Sequence, residues 1–270
     1  MPPKSRSAPD LARAPELIAA RGGELGKPYF WLEGTTSTND EAKAAAKAGA
    51  PHGAVWVAES QTAGRGRQGR TWLAARGESL LVSVLLRIRC APARLPPLAL
   101  VAGLAVRDAV ARALGSAAAP VGLKWPNDVL IGKKKVAGVL VEAQLAGKNV
   151  ESIVVGVGIN VHARSFPEEI ADRATSVALE TTNVPDRAEL LADLLQGLDR
   201  DLPIAAARGL GTVYARLAEA DALRGSRIRG ERGEGVAEGI DLEGRLCVRE
   251  DDGTVHKWSA GEVVATGRQD

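Results

Sequence analysis

A chain of 270 residues, 45% of them hydrophobic, is long enough to bury a sizeable core as one large domain or as one domain with a small appendage. Its 35 Lys and Arg stand against 33 Asp and Glu. The net charge of +2 sets up no global positive field, which argues against nucleic acid or membrane as the main partner and makes any cationic function local. Two cysteines without metal-type spacing, a polar N-terminus and no apolar run of about 20 residues fit a soluble chain in a reducing cytoplasm.

In chain order, the polar residues 1 to 10 are expected to be flexible, and 11 to 21 have helical composition. Tyr29 to Leu32 reads as a short strand leading into Ser37-Thr38-Asn39. Thr38 with Glu41 three residues on forms a capping-box pattern that opens a helix, closed by Gly49 and Pro51. Val55 to Ala58 and Ser79 to Ile88 read as strands joined by a loop over 60 to 71. Apolar positions from Leu95 to Leu114 recur at helical spacing and stop at Gly115. Next comes an antiparallel meander of Val121 to Trp125, Val129 to Ile131, Val136 to Leu145 and Ile153 to Val161. Helices are expected over 186 to 201 and 209 to 223. Five short runs follow, at 226 to 229, 235 to 240, 245 to 249, 254 to 258 and 262 to 265, and suggest a small barrel. The boundary is set near Ala222, giving a catalytic unit over 1–222 and a small β unit over 223–270.

Gly64-Arg65-Gly66-Arg67-Gln68-Gly69 matches the dinucleotide fingerprint in letters but not in context, because a strand rather than a helix follows it. What remains is a glycine loop whose Arg65, Arg67 and Arg70 offer planar charged forks to carboxylate and phosphate oxygens. Taken alone, it reads more readily as a solvated basic turn, and the other motifs must tip the balance. In Lys124-Trp125-Pro126-Asn127-Asp128, Asn127 can bond a nucleotide and Asp128 can hold Mg²⁺ or orient a lysine, while an Asx turn is the plain alternative. Lys135 begins the strand run that contains Gly138, and its side chain is expected on the sheet's ligand face. Gly156-Val157-Gly158-Ile159-Asn160 places two glycines in an apolar strand, where they weaken the sheet unless something approaches closely.

Taken in order, Ser37-Thr38-Asn39, Gln61 to Trp72, Lys124 to Asp128, Lys135 to Glu142 and Gly156 to Asn160 resemble the biotin protein ligase family. The resemblance implies an α+β fold: a mixed sheet flanked by helices, of the class II aminoacyl-tRNA synthetase type, followed by a small SH3-like barrel. It implies ATP and biotin as substrates, Mg²⁺, and transfer of biotin to a lysine of a biotin carboxyl carrier protein. A homodimer is compatible with it. By similarity Ser37, Thr38, Asn39, Gln61, Gly64, Arg65, Lys135 and Gly138 would engage biotin, and Arg67 and Lys135 would sit where carboxylate and α-phosphate meet. Arg67, Arg70, Trp72, Asn127 and Asn160 would hold the nucleotide, and Asp128 the metal. Only 36 residues precede Ser37, too few for a winged DNA-binding domain, so a monofunctional enzyme is expected. The rivals are a lipoate or octanoate ligase of the same fold and a non-enzymatic biotin-binding protein.

Overall fold

The computed structural model describes residues 10–115, 119–147 and 149–268. Of the ten N-terminal residues expected to be flexible, 1–9 lie outside the described residues. Asp10 opens a 3-10 turn, Asp10–Arg13, that continues into α1, Ala14–Arg21. Then follow β1 (Tyr29–Leu32), α2 (Thr38–Lys47), β2 (Val55–Ala58), β3 (Ser79–Leu86) and α3 (Leu95–Leu114). The meander comprises β4 (Val121–Lys124), β5 (Asp128–Ile131), β6 (Lys134–Ala146) and β7 (Asn149–Asn160). The seven strands form one mixed sheet in the order β1-β2-β3-β7-β6-β5-β4, parallel only between β1 and β2.

Every residue of β3 is buried, so both faces of the sheet are covered. Alternation assigns the faces. Leu80, Val82, Val84 and Leu86 of β3, with Val155, Val157 and Ile159 of β7, enter the main core beneath α3 and α6. α3 starts on Leu95-Pro96-Pro97, where proline's fixed φ suits the first turn and its missing N–H costs nothing, and ends at Gly115 with φ 69°. Its Leu98, Val101, Leu104 and Val106 are buried, each burial contributing on the order of 1.5–3 kcal/mol. The opposite face carries α2, where Ala42 and Ala46 pack on Trp56, Leu85 and Val154.

Two short helices, α4 (Glu168–Ala171) and α5 (Val177–Glu180), precede α6 (Arg187–Arg208) and α7 (Tyr214–Ala220). α6 outruns the expected end at 201. Pro203 interrupts its hydrogen bonding, but Leu202, Ala205 and Ala206 still bury their side chains, and the stop falls at Gly209 with φ 79°. The helix expected over 209 to 223 splits into a 3-10 turn, Leu210–Thr212, and α7. The capping box is also corrected: Ser37 is the N-cap, Thr38 is already helical, and Glu41 accepts a hydrogen bond from Thr35 instead.

The C-terminal strands are β8 (Ser226–Gly230), β9 (Gly233–Ile240), β10 (Leu246–Arg249), β11 (Val255–Trp258) and β12 (Val263–Arg268), antiparallel in the order β11-β10-β9-β8-β12. Where a barrel was expected, no strand pair among the described residues closes the ring. The sheet is tied to the main body by the buried Trp125, whose Nε1 donates to Gly244 O at 3.0 Å, and by Ala222 N donating to Leu123 O at 3.0 Å.

Arg187 joins four chain segments. Its side chain is 5% exposed, bonds Asp10 through Nε and Nη2, lies 2.9 Å from Glu59 Oε2, and donates to Ser79 O at 3.2 Å. A cation at the start of a helix opposes the dipole, and the two carboxylates offset it. Burial would raise the Asp10 carboxyl, but nearby His162 and the Arg187 guanidinium outweigh it and hold the group far below the usual range. Arg187→Met should cost about 3–5 kcal/mol in denaturant unfolding, because Glu59 is left buried without its cation. A folded-state carboxyl held low contributes stability above its unfolded value near 4 and loses it as pH falls further. Asp10→Asn should therefore be less stable than wild type at pH 7, with the difference shrinking below about pH 4. A constant difference across that range would show that Asp10 is not the linked group.

Candidate functional site

The alternation that buries Val155 and Val157 in the main core turns Val154, Gly156, Gly158 and Asn160 of β7 to the α2 face. The register sets Ser83 of β3 beside Gly156, Gly138 of β6 beside Gly158, and Ser79 beside Asn160. Three glycines and a serine thus line a trough in the sheet. Other side chains already use the space: a Cβ on Gly156 would collide with Asn39, and one on Gly158 would strike the Trp72 ring at 2.5 Å. A Cβ on Gly138 would meet that ring at 3.2 Å and Lys135 Nζ at 3.3 Å.

Residues after β2 cross the head of α2. Gln61 Oε1 accepts from Thr38 N at 2.7 Å and lies 3.0 Å from Thr38 Oγ1, while Thr62 N and Ala63 N donate to Thr35 O and Thr36 O. Buried Ser37 supplies no side-chain cap, and its hydroxyl bonds no partner among the described residues. The basic loop then folds back on itself, with Gly66 N donating to Arg70 O at 2.7 Å and Trp72 N to Gly64 O at 3.0 Å. This closure explains Gly64, where a Cβ would lie 2.6 Å from the Trp72 carbonyl oxygen. At the tip, Gln68 takes φ 55°, a left-handed conformation uncommon for a residue with a side chain.

Each loop cation already has a partner. Arg65 bonds Asp40 at 2.7 Å and stands 3.4 Å from Glu142; Arg67 donates to Asn127 Oδ1 at 3.1 Å; Arg70 pairs with Glu262, just ahead of β12. Lys135 Nζ lies 2.6 Å from Asp128 and 5.7 Å from the Trp72 ring centroid, within cation–π range. Asn127 Nδ2 donates to Val139 O at 2.8 Å, so this amide orients Arg67 with one end and grips β6 with the other. Trp72 Nε1 is buried and has no acceptor among the described residues.

The motif residues expected to meet do so around the trough, with two qualifications. Asn160 spends its amide internally, donating to Thr175 O at 3.0 Å. Asn39 spends its own on Ser83 and Glu142. Sequence reading missed Ser83, Glu142, Asp40, Lys43 and Glu262 as parts of this network. A serine inside the otherwise apolar β3 was the available signal for Ser83; the others look like ordinary surface charges until the fold joins them. Lys124, half-buried, completes the electrostatics: burial lowers its pKa, Lys135 and Arg70 add to the shift, and Asp128 and Glu262 oppose it. Asp40 is held low by Lys43 and, against burial, by Arg65.

Such a site is a narrow trough with polar groups at one end and paired cations at the other, suited to a small ligand with a polar head and an anionic tail. The model of the Biotin/lipoate A/B protein ligase family matches residues 31–160, and that of the Biotin protein ligase C terminal domain matches residues 225–265. A biotin--[acetyl-CoA-carboxylase] ligase of Mycobacterium tuberculosis is 40% identical over 238 residues, 85% of this chain and 86% of the relative. A bifunctional ligase/repressor of Bacillus spizizenii is 34% identical over 87% of this chain and 74% of its own length. The biotin protein ligase of Aquifex aeolicus, solved with biotin and ATP, superposes with a TM-score of 0.75 at 31% identity, covering 88% of this chain and 98% of that one. Sequence and fold agree, and the chain belongs to the biotin protein ligase family.

Proposed function

We propose that this protein activates biotin with ATP as biotinyl-5′-AMP and transfers it to a lysine of a biotin carboxyl carrier protein. The observation that carries this reading is the convergence of Arg67 and Lys135, through neighbouring Asn127 and Asp128, at the Gly138–Gly158 end of the trough. A biotin carboxylate oxygen attacks the α-phosphorus and pyrophosphate leaves; the lysine amine then attacks the acyl carbon and AMP leaves. Two anions must approach in line in the first step, so fixed positive charge and positioning do more than an acid–base pair could.

Ser37, Thr38 and Gln61 suit the ureido head, with Gly64 allowing close backbone approach. Arg67 and Lys135 suit the point where carboxylate and α-phosphate meet, and Arg70 the departing phosphates in exchange for Glu262. The half-buried Trp72 ring suits adenine. Mg²⁺ belongs with the triphosphate: no cluster of three or more metal-ligating side chains occurs among the described residues, and Asp128 already pairs with Lys135. Asp128 is the carboxylate that would reach the metal, in exchange for Lys135. No described helix is long and apolar enough to cross a membrane, and a cytoplasmic setting forms part of the proposal.

Lys135→Met and Arg67→Gly, assayed for adenylate formation separately from transfer, should each lower adenylate yield or retention on the order of a hundredfold. Unchanged yield and retention in both would refute the assignment. Trp72→Ala should weaken ATP binding about tenfold or more by calorimetry, while biotin affinity without nucleotide is retained. The opposite pattern would assign the indole to biotin. Pyrophosphate release driven by lipoate rather than biotin would select the lipoate ligase instead.

A further inference from the structure

Glu142 lies four residues along β6 from Gly138, on the same face of the sheet. Its Oε2 accepts from Asn39 Nδ2 at 2.8 Å, its Oε1 from Lys43 Nζ at 3.0 Å, and Arg65 stands beyond hydrogen-bond geometry at 3.4 Å. A carboxylate can only accept, so the NH₂ of Asn39 must face it and Asn39 Oδ1 must face the trough. There Oδ1 lies 2.5 Å from Ser83 Oγ, which is 2.8 Å from Thr38 Oγ1, which in turn is 3.0 Å from Gln61 Oε1. Three oxygen–oxygen contacts are thereby served by two hydroxyl protons, those of Ser83 and Thr38.

Were Asn39 reversed, its NH₂ would donate to Ser83, Ser83 to Thr38 and Thr38 to Gln61, leaving nothing open. Glu142 forbids that arrangement. With the two shorter contacts taken as the bonded ones, Ser83 donates to Asn39 and Thr38 to Ser83, so Gln61 Oε1 keeps the bond from Thr38 N at 2.7 Å and has its second lone pair unserved by Thr38 Oγ1. Gln61 is the partly exposed member; Ser83, Thr38 and Asn39 are buried. An acceptor left open there matches an N–H donor such as those of a cyclic urea and mismatches a ring oxygen in the same position.

We propose that Glu142 is a positioning residue for specificity, one that never touches the ligand but, through Asn39 and Ser83, sets the polarity of the ureido-recognition end as acceptor-rich. The proposal rests on the biotin reading above. The test is calorimetric binding of biotin and of its cyclic carbamate analogue, in which one ureido N–H is replaced by oxygen, to wild type, Glu142→Gln and Ser83→Ala, with thermal melts on all three. Wild type should prefer biotin by about tenfold or more. Glu142→Gln, free to pair with a reversed Asn39, should bind biotin about tenfold more weakly and move the preference toward unity, with ATP affinity unchanged. Ser83→Ala releases the Thr38 proton to Gln61 and should erode the preference in the same way, which keeps the test available if Glu142→Gln fails to fold. A wild-type preference retained in either folded variant overturns the proposal, because a merely structural role would weaken both ligands alike. A wild type that does not bind biotin at all overturns the ligase reading itself, and the proposal with it.

Discussion

The period-two alternation of three adjacent strands governs this molecule. It gives β3 and β7 one face of leucine, valine and isoleucine for the core beneath α3 and α6, and another in which Gly138, Gly156 and Gly158 open a trough. A one-residue slip in either ladder would send the glycines into the core and the valines into the site. Register is therefore enforced by hydrophobic burial, and the ligand face inherits its precision from the core. Glycines weaken a strand, and here the loss is offset by the side chains that occupy their space, Asn39 over one and Trp72 over the other two.

The second feature is that the cations of the site are paired before any substrate arrives. Arg65, Arg67, Arg70 and Lys135 each rest on a carboxylate or an amide supplied by a different part of the chain: α2 and β6, the Asn127 turn, the residue ahead of β12, and β5. The exposed pairs contribute little stability individually. Their effect is positional, since each fork is held near the trough and can exchange its protein partner for a substrate anion without a long search. The hydrogen bond from Trp125 to Gly244 and the pair of Arg70 with Glu262 extend this arrangement to the C-terminal strands.

Much of the fold was legible along the chain, because the signals were local. The strand at Tyr29 to Leu32, the α3 stripe ending at Gly115 and the four-strand meander follow from periodicity and turn residues. Readings that failed were those where burial overrode a local rule. α6 passed through Pro203 because its apolar face stayed buried, and Thr38 lies inside the helix rather than at its cap, with its buried hydroxyl turned to Ser83.

For the site, the sequence by itself determined the inventory: the arginine loop, the Asn127-Asp128 turn, Lys135, and glycines with no local reason to sit in strands. Those chemical identities point to anionic ligands only when they are taken together, since each alone also reads as a solvated charge or a turn. Only the tertiary structure decided which groups remain available. It consumed the amides of Asn39 and Asn160, left the Ser37 hydroxyl and the Trp72 N–H without partners among the described residues, and brought Glu142 to residues about a hundred positions away. Hydrogen-bond polarity and charge pairing depend on distances between elements, and no pattern along the chain encodes a distance of that kind.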